Sequence, residues 1–314
     1  DAETAYSNAL DLLNVWRKDR GLWRSEDAPH LELPQHIAVI NMRLHRLLAS
    51  VLERRAEYES AFHRLERGMQ WSTPDIQEEL ARAYLLGAGI YQRQGQNARS
   101  LEWAERGLTI FEQHGMRSDL AHAYYALGGI YRKLGRAKEA ITAVETSLRL
   151  YTEAEDMAGQ ANAHLNLSNV LTDTGRWEAA IQHGQAALEL KETIGDAHGQ
   201  AILANNLGDL QRQMGDYASA THYFRIALEQ FRRLGSDYGM AVLHMNMGSV
   251  KVSQQALAEA RYHLEQSEQL FERTGSEEFL AELYCAYAEL GLHEQQLPKA
   301  LQSANAEIGR ASCR

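Results

Sequence analysis

Residues 121–148, AHAYYALGGIYRKLGRAKEAITAVETSL, read as two short amphipathic helices parted at Gly135, and the rest of the chain repeats them. Gly128 recurs as Ser168, Gly208 and Gly248, with Ala88 before it and Ala288 after, each step being 40 residues. Gly135 recurs as Gly95, Gly175 and Gly215 and is replaced by Gln255 and Gln295. Ala140 recurs as Ser100, Ala180, Ala220, Ala260 and Ala300, and Leu148 as Leu108, Leu188 and Leu228. Another small marker stands at Gly115, Gly195, Gly235 and Gly275, where the next copy is about to begin. Self-similarity at a constant spacing marks a repeat architecture and has to be recognised before anything else is assigned.

Each recurring position has a physical reason. Glycine inside a helix costs about 1 kcal/mol against alanine, which is tolerable at Gly128 if the partner helix approaches closely there. Gly135 falls where the first helix should stop, and glycine adopts the left-handed conformation of a helix C′ position without strain. Ala140 and Ser147 are small enough to bring the second helix against the first. Leu127, Ile130, Tyr131, Val144 and Leu148 follow helical spacing and fill the gap between the two.

The combination resembles the tetratricopeptide repeat, whose pattern runs Leu-Gly-x-x-Tyr, then Gly, then Ala, then an aromatic and Ala-Leu. The clearest copies here are LGGIYRKLGRAKEA and LGDLQRQMGDYASATHYFRIAL. The usual unit has 34 residues and a proline after its second helix, whereas this one has 40 and none of its four prolines (Pro29, Pro34, Pro74, Pro298) stands there. The second helix should therefore run about a turn longer and end near Gly195-Asp196 and Gly235-Ser236. The longer unit is similar to that of G-protein-signalling modulator adaptors, kinesin light chains and bacterial signalling regulators. The resemblance implies an all-α right-handed superhelical solenoid of antiparallel helix pairs.

Towards the N-terminus, Ala2, Tyr6, Ala9 and Leu10 match the spacing of Ala140, Val144, Ser147 and Leu148. Residues 1–18 thus read as an orphan second helix of a preceding repeat, and residues 19–35, rich in charge with Gly and Pro, as a linker. The array should occupy residues 36–306 as about seven helix pairs, the last truncated, with Leu48-Ala49, Val51, Ala61 and Leu65 one residue out of phase. Ser72 or Thr73 is placed to cap a helix following Pro74. Residues 307–314 break the periodicity and read as a non-native tail. The chain opens at Asp1 without methionine, so it is expected to be part of a longer protein.

Composition narrows the function. The chain has 314 residues, 45% hydrophobic and 24% charged, the make-up of a folded protein. A net charge of −10 argues against direct nucleic-acid binding, which needs a basic stripe to neutralise phosphates. No apolar run approaches the roughly 18 residues a membrane span requires, and no leader is expected. Two cysteines, Cys285 and Cys313, make no disulfide framework and belong to no zinc spacing, so a cytoplasmic location is expected. No phosphate-binding loop, dinucleotide fingerprint, zincin helix or nucleophile elbow is present, and no catalytic site, cofactor or metal is expected. Of thirteen histidines, His183 and His263 share one repeat position, which register explains better than coordination does.

What remains is a surface. The resemblance implies that the first helix of each pair lines a concave groove, facing it with the second, fifth, sixth, ninth and twelfth residues. Those places hold His122, Tyr125 and Arg132 in one copy and Asn162, Leu165, Asn166 and Asn169 in the next. Asn205, Asn206, Asp209 and Arg212 follow, then Met245 and Asn246. Asparagine is a poor residue for a helix interior, yet Asn166, Asn206 and Asn246 recur one unit apart. A side-chain amide both donates and accepts, so such a ladder either pairs with the backbone of an extended peptide or stitches neighbouring repeats. Arg132 and Arg212 are placed to anchor acidic groups. The expected function is a protein- or peptide-binding scaffold. The alternative is the sensing arm of a larger bacterial regulator, an ATPase or transcription factor, with peptide-sensing regulators of the Rap type as a variant of both.

Overall fold

A computed structural model describes residues 2–19, 35–70, 76–276 and 279–294. Among the described residues there are fourteen α-helices and no strand. The chain divides into two compact units, Asp1–Gly159 and Gln160–Arg314, taken here one at a time.

The first unit opens with α1 (Ala2–Asp19), followed by the pairs α2 (Gln35–Arg54) with α3 (Tyr58–Met69), α4 (Gln77–Arg93) with α5 (Asn97–His114), and α6 (Arg117–Lys133) with α7 (Ala137–Glu153). The division falls in the first turn of α8 (Met157–Asp173). The second unit continues with α9 (Trp177–Thr193), α10 (Ala197–Gln213), α11 (Tyr217–Arg233), α12 (Asp237–Ser253), α13 (Leu257–Thr274) and α14 (Leu280–His293). Consecutive helices pack antiparallel, and the first member of each pair is called the A helix, the second the B helix. Within each unit the substantial contacts run only to the next helix or the next but one.

The 40-residue period resolves into simple parts. From α6 to α12 every helix has 17 residues, and three residues join each to the next. The B helices end at Thr193 and Arg233, directly before the Gly195 and Gly235 turns, where the sequence places their ends. The A helices reach the same length, so the added residues are shared by both members of the pair.

The turns explain the glycines. Gly135 adopts φ 71°, its N–H donating to the Arg132 carbonyl at 3.0 Å while the Arg136 N–H reaches Tyr131 at 2.9 Å. These two bonds are the Schellman closure, which satisfies carbonyls that a helix end otherwise leaves bare. Where glycine is absent the conformation is kept: Gln255 sits at φ 62°, and Glu155 at φ 55° holds the place of Gly115, Gly195, Gly235 and Gly275. The following A helices start on side-chain caps. Asp156, Asp196 and Ser236 accept the N–H of Gly159, Gly199 and Gly239 at 2.9, 2.8 and 3.2 Å. The bond from Gly199, with the Lys191 ammonium 2.9 Å away, holds the Asp196 carboxyl below its ordinary range.

Small residues at the Gly128 place let the pair close. A Cβ added at Gly208 would fall 2.5 Å from the Phe224 ring, and one at Gly248 2.6 Å from the Leu264 side chain. Serines fasten the same contact: the Ser147 hydroxyl donates to the Ala121 carbonyl at 2.8 Å and Ser100 to Ala88 at 2.7 Å. Leu127, Ile130, Ala140 and Val144 are buried as their spacing requires, and Tyr131 and Leu148 are partly buried beside them.

In the first unit, Leu10 of α1 is buried in one cluster with Met42, Leu48, Ala49 and Leu65. In the second, Phe224, Phe231, Leu243 and Val250 form one cluster and Leu264, Phe271, Leu283 and Leu290 another. Most of the expected linker, the capping site at Ser72 and Thr73, the partner of α14, and residues 307–314 lie outside the described residues. No described helix is long and apolar enough to cross a membrane.

Candidate functional site

The site rises from the register of the second unit. Because its A helices are copies in phase, equal places line up from one helix to the next. A cleft of about 460 Å³ is lined from these helices by Asn169, Asn205, Asn206, Asp209, Met245 and Asn246. A second cleft of about 350 Å³ shares Met245 and Asn246 with it and adds Arg212. Seven of the residues picked out by spacing therefore come together. Asn162, Leu165 and Asn166 lie on the same α8 helix as Asn169 but line neither cleft. His122, Tyr125 and Arg132 belong to α6 of the first unit, where the His122 and Tyr125 rings stack at 6.3 Å.

The asparagines divide into two kinds. Asn246 Nδ2 donates to Asn205 Oδ1 at 2.9 Å, joining α12 to α10, so these two stitch neighbouring copies. Asn166 is buried at 8% exposure. Asn206 is exposed and Asn169 half-buried, and neither amide has a hydrogen-bond partner among the described residues. The arginine at the twelfth place is also spoken for. Arg212 lies 2.7 Å from Asp209 on its own helix, and Gln213 Nε2 donates to the other Asp209 oxygen at 2.7 Å.

Residues absent from the sequence reading complete the lining. Glu282 faces both clefts, Cys285 and Glu289 the second, and Val242 and Phe279 the first. Glu282, Cys285 and Glu289 hold the second, fifth and ninth places of the copy beginning at Ala281, and Val242 the second place of its own copy. Carrying the register one unit further would have named the first three, and the second place of the copy at Ala241 would have named Val242. Phe279 precedes α14 and no register points to it.

The A helices of the first unit use a different chemistry. Glu79, 2% exposed, accepts Arg43 at 2.7 Å and Arg46 at 2.9 Å, with Arg82 at 3.3 Å. Arg82 in turn forks onto both oxygens of Asp119 at 2.9 Å. Burial works to raise the Glu79 carboxyl, and the bonds and charges of the two arginines outweigh it, leaving it below the ordinary range.

The shared position of His183 and His263 acquires a reason. His183 Nδ1 lies 2.9 Å from His164 Nδ1 across the α8–α9 pair, and His263 lies 3.0 Å from His244 across α12–α13. Burial, then the partner imidazole, depresses His164 and His244, the latter to about 4; burial and Lys251 depress His263. No group of three His, Cys, Asp or Glu residues suited to a metal occurs among the described residues. The cleft offers amides, a thioether, an aromatic ring and carboxylates.

Fold and cleft together define a helical-repeat scaffold. The tetratricopeptide-repeat family model matches residues 79–153 and 159–233, and the chain belongs to that family. No curated protein matches it significantly in sequence. Among solved structures it is similar to aspartyl phosphate phosphatase F from Bacillus subtilis, with a TM-score of 0.68 and 13% identity over 95% of this chain and 80% of that one. It is similar to a Rap protein complexed with competence and sporulation factor, with a TM-score of 0.59 and 14% identity over 98% and 93% of the two chains. It also resembles a signal transduction ATPase with numerous domains and a tetratricopeptide repeat sensor, from Pyrococcus horikoshii. There the TM-score is 0.72 at 14% identity, over 89% of this chain and 44% of that one. At such identities these likenesses show the fold alone.

Proposed function

We propose that the protein is a non-catalytic cytoplasmic scaffold that binds an extended peptide segment of a partner in the paired clefts of the second unit. The observation that carries this reading is that the Asn169 and Asn206 amides have no partner among the described residues, in a cleft lined by Met245, Val242 and Phe279. Amides without a partner on a regular helix are placed to pair with a peptide backbone, and the apolar wall takes alternate side chains. Seven residues singled out by register converge there, which supports the choice of face.

A random-peptide display selection against the whole chain tests it. Peptides should enrich on the wild type and lose their enrichment on Asn206→Trp, which fills the cleft from an exposed position. Enrichment that survives Asn206→Trp unchanged would sink the reading.

A second reading makes this chain the sensing arm of a larger regulator. Its support is the fold shared with the Pyrococcus protein, whose name includes a tetratricopeptide repeat sensor and of whose chain under half is matched. Sequencing the complete gene tests it: an ATPase or DNA-binding domain in the same reading frame is expected, and its absence ends this reading.

A further inference from the structure

The charges around the clefts point to the kind of peptide, an inference that rests on the cleft being the binding site. Among the described residues lining the two clefts, Arg212 is the one cation, and the Asp209 carboxylate 2.7 Å away neutralises it. The opposite wall is acidic. Glu282 lines both clefts and Glu289 the second; both are exposed, and neither has an ion pair or hydrogen bond among the described residues. They stand seven residues apart on α14, two helical turns, and so share one face with Cys285 and Ala286 between them. A cleft of one uncompensated sign, with apolar walls, focuses field lines and selects ligands of the other sign. This departs from the expectation that Arg212 anchors acidic groups.

The apolar wall adjoins this acidic edge. Met245, 7% exposed, lines both clefts together with Glu282, and Phe279 and Val242 line the first. A thioether side chain adapts to varied apolar shapes, whereas the carboxylates discriminate by charge. We propose that the site selects an extended peptide carrying a lysine or arginine next to an apolar residue, the cation facing Glu282 and Glu289 and the apolar side chain against Met245 and Phe279.

The experiment is a display selection of random dodecapeptides on the whole chain, run in parallel on Glu282→Gln/Glu289→Gln and on Asn206→Trp, followed by fluorescence anisotropy on enriched peptides. Lysine and arginine should be enriched over aspartate and glutamate on the wild type. The double glutamine variant should keep the apolar preference and lose the basic one. An enriched peptide should bind the variant about tenfold more weakly, and its affinity for the wild type should fall with added salt. Enrichment of acidic peptides, or of basic peptides equally on the glutamine variant, overturns the charge assignment while leaving the cleft intact. Enrichment that survives Asn206→Trp fails the cleft reading itself, and the two failures are distinguished by which variant is insensitive.

Discussion

The two units build on one 40-residue plan and spend their A helices differently. In the first, the A helices α2, α4 and α6 are joined by charge: Arg43 and Arg46 on Glu79, Arg82 on Glu79 and Asp119. In the second, α10 and α12 are joined by an uncharged amide pair, Asn205 with Asn246, and Asn206, Glu282 and Glu289 have no partner among the described residues. The difference teaches that one repeat plan can tie its copies by charge in one unit and by an amide pair in the other. A buried carboxylate shared by three guanidiniums has no capacity left for a ligand. A surface holding one internal amide pair and several open groups is less firmly tied and available.

That comparison can be broken or sharpened, beginning with the largest effect. Glu79→Ala strands arginines that were desolvated around it and is expected to cost about 3 kcal/mol, read by denaturant unfolding. A loss below about 0.5 kcal/mol, the size of an ordinary surface change, would end the view that charge binds the first unit.

Acid should act on the opposite side. His244 stays neutral when folded but takes up a proton near pH 6.5 when unfolded, so its stabilisation is present above that value and lost as pH falls towards about 4. The opening free energy of α12 and α13, read from hydrogen-exchange protection corrected for the intrinsic pH dependence of exchange, should fall by about 1 kcal/mol between pH 7 and pH 5. In α4 and α5 the same two places hold Tyr84 and Trp103, packed edge to face at 5.3 Å, and no histidine. A loss of protection present in α12 and α13, absent from α4 and α5 and removed by His244→Phe, is the expected pattern. Lys251, Glu259 and Arg232 are the other charged groups acting on the pair.

Smaller still, Asn246→Ala deletes the bond to Asn205 and should lower stability by about 1 kcal/mol, while Asn206→Ala stays within about 0.5 kcal/mol and weakens peptide binding. Paired melting and binding measurements separate them; the reverse assignment would exchange the stitching and open asparagines. The smallest effect should not distinguish the units at all. Glu155→Gly in the first and Gln255→Gly in the second each relieve a left-handed non-glycine residue and should raise stability by about 0.5–1 kcal/mol, seen as matching shifts in melting temperature.

The fold was legible because its determinants are local and periodic. Gly135, Ala140 and Leu148 state turn, close approach and core in one copy, and their recurrences state how many copies follow. The face was legible for the same reason, since register carries Asn169, Asp209 and Met245 to one side. Pairing was not. That Asn246 turns to Asn205, or that Arg212 is spent on Asp209, depends on side-chain directions that spacing leaves open. Whether His183 meets His164 depends on a contact between two helices, and either helix alone reads as a single histidine at a recurring place. Glu282 and Glu289 were within reach of the same register, carried to the last A helix.

Neighbour-only packing has a consequence for communication. Helices α10 and α14 have no substantial contact with each other, yet both contribute to the same clefts. In a stack of this kind each interface opens almost independently, and a disturbance at one helix fades within a pair or two. An occupant touching α10, α12 and α14 would add the missing long-range link. Binding would then be registered as a concerted slowing of fluctuations along the stack, and the signal passed on would be stiffness.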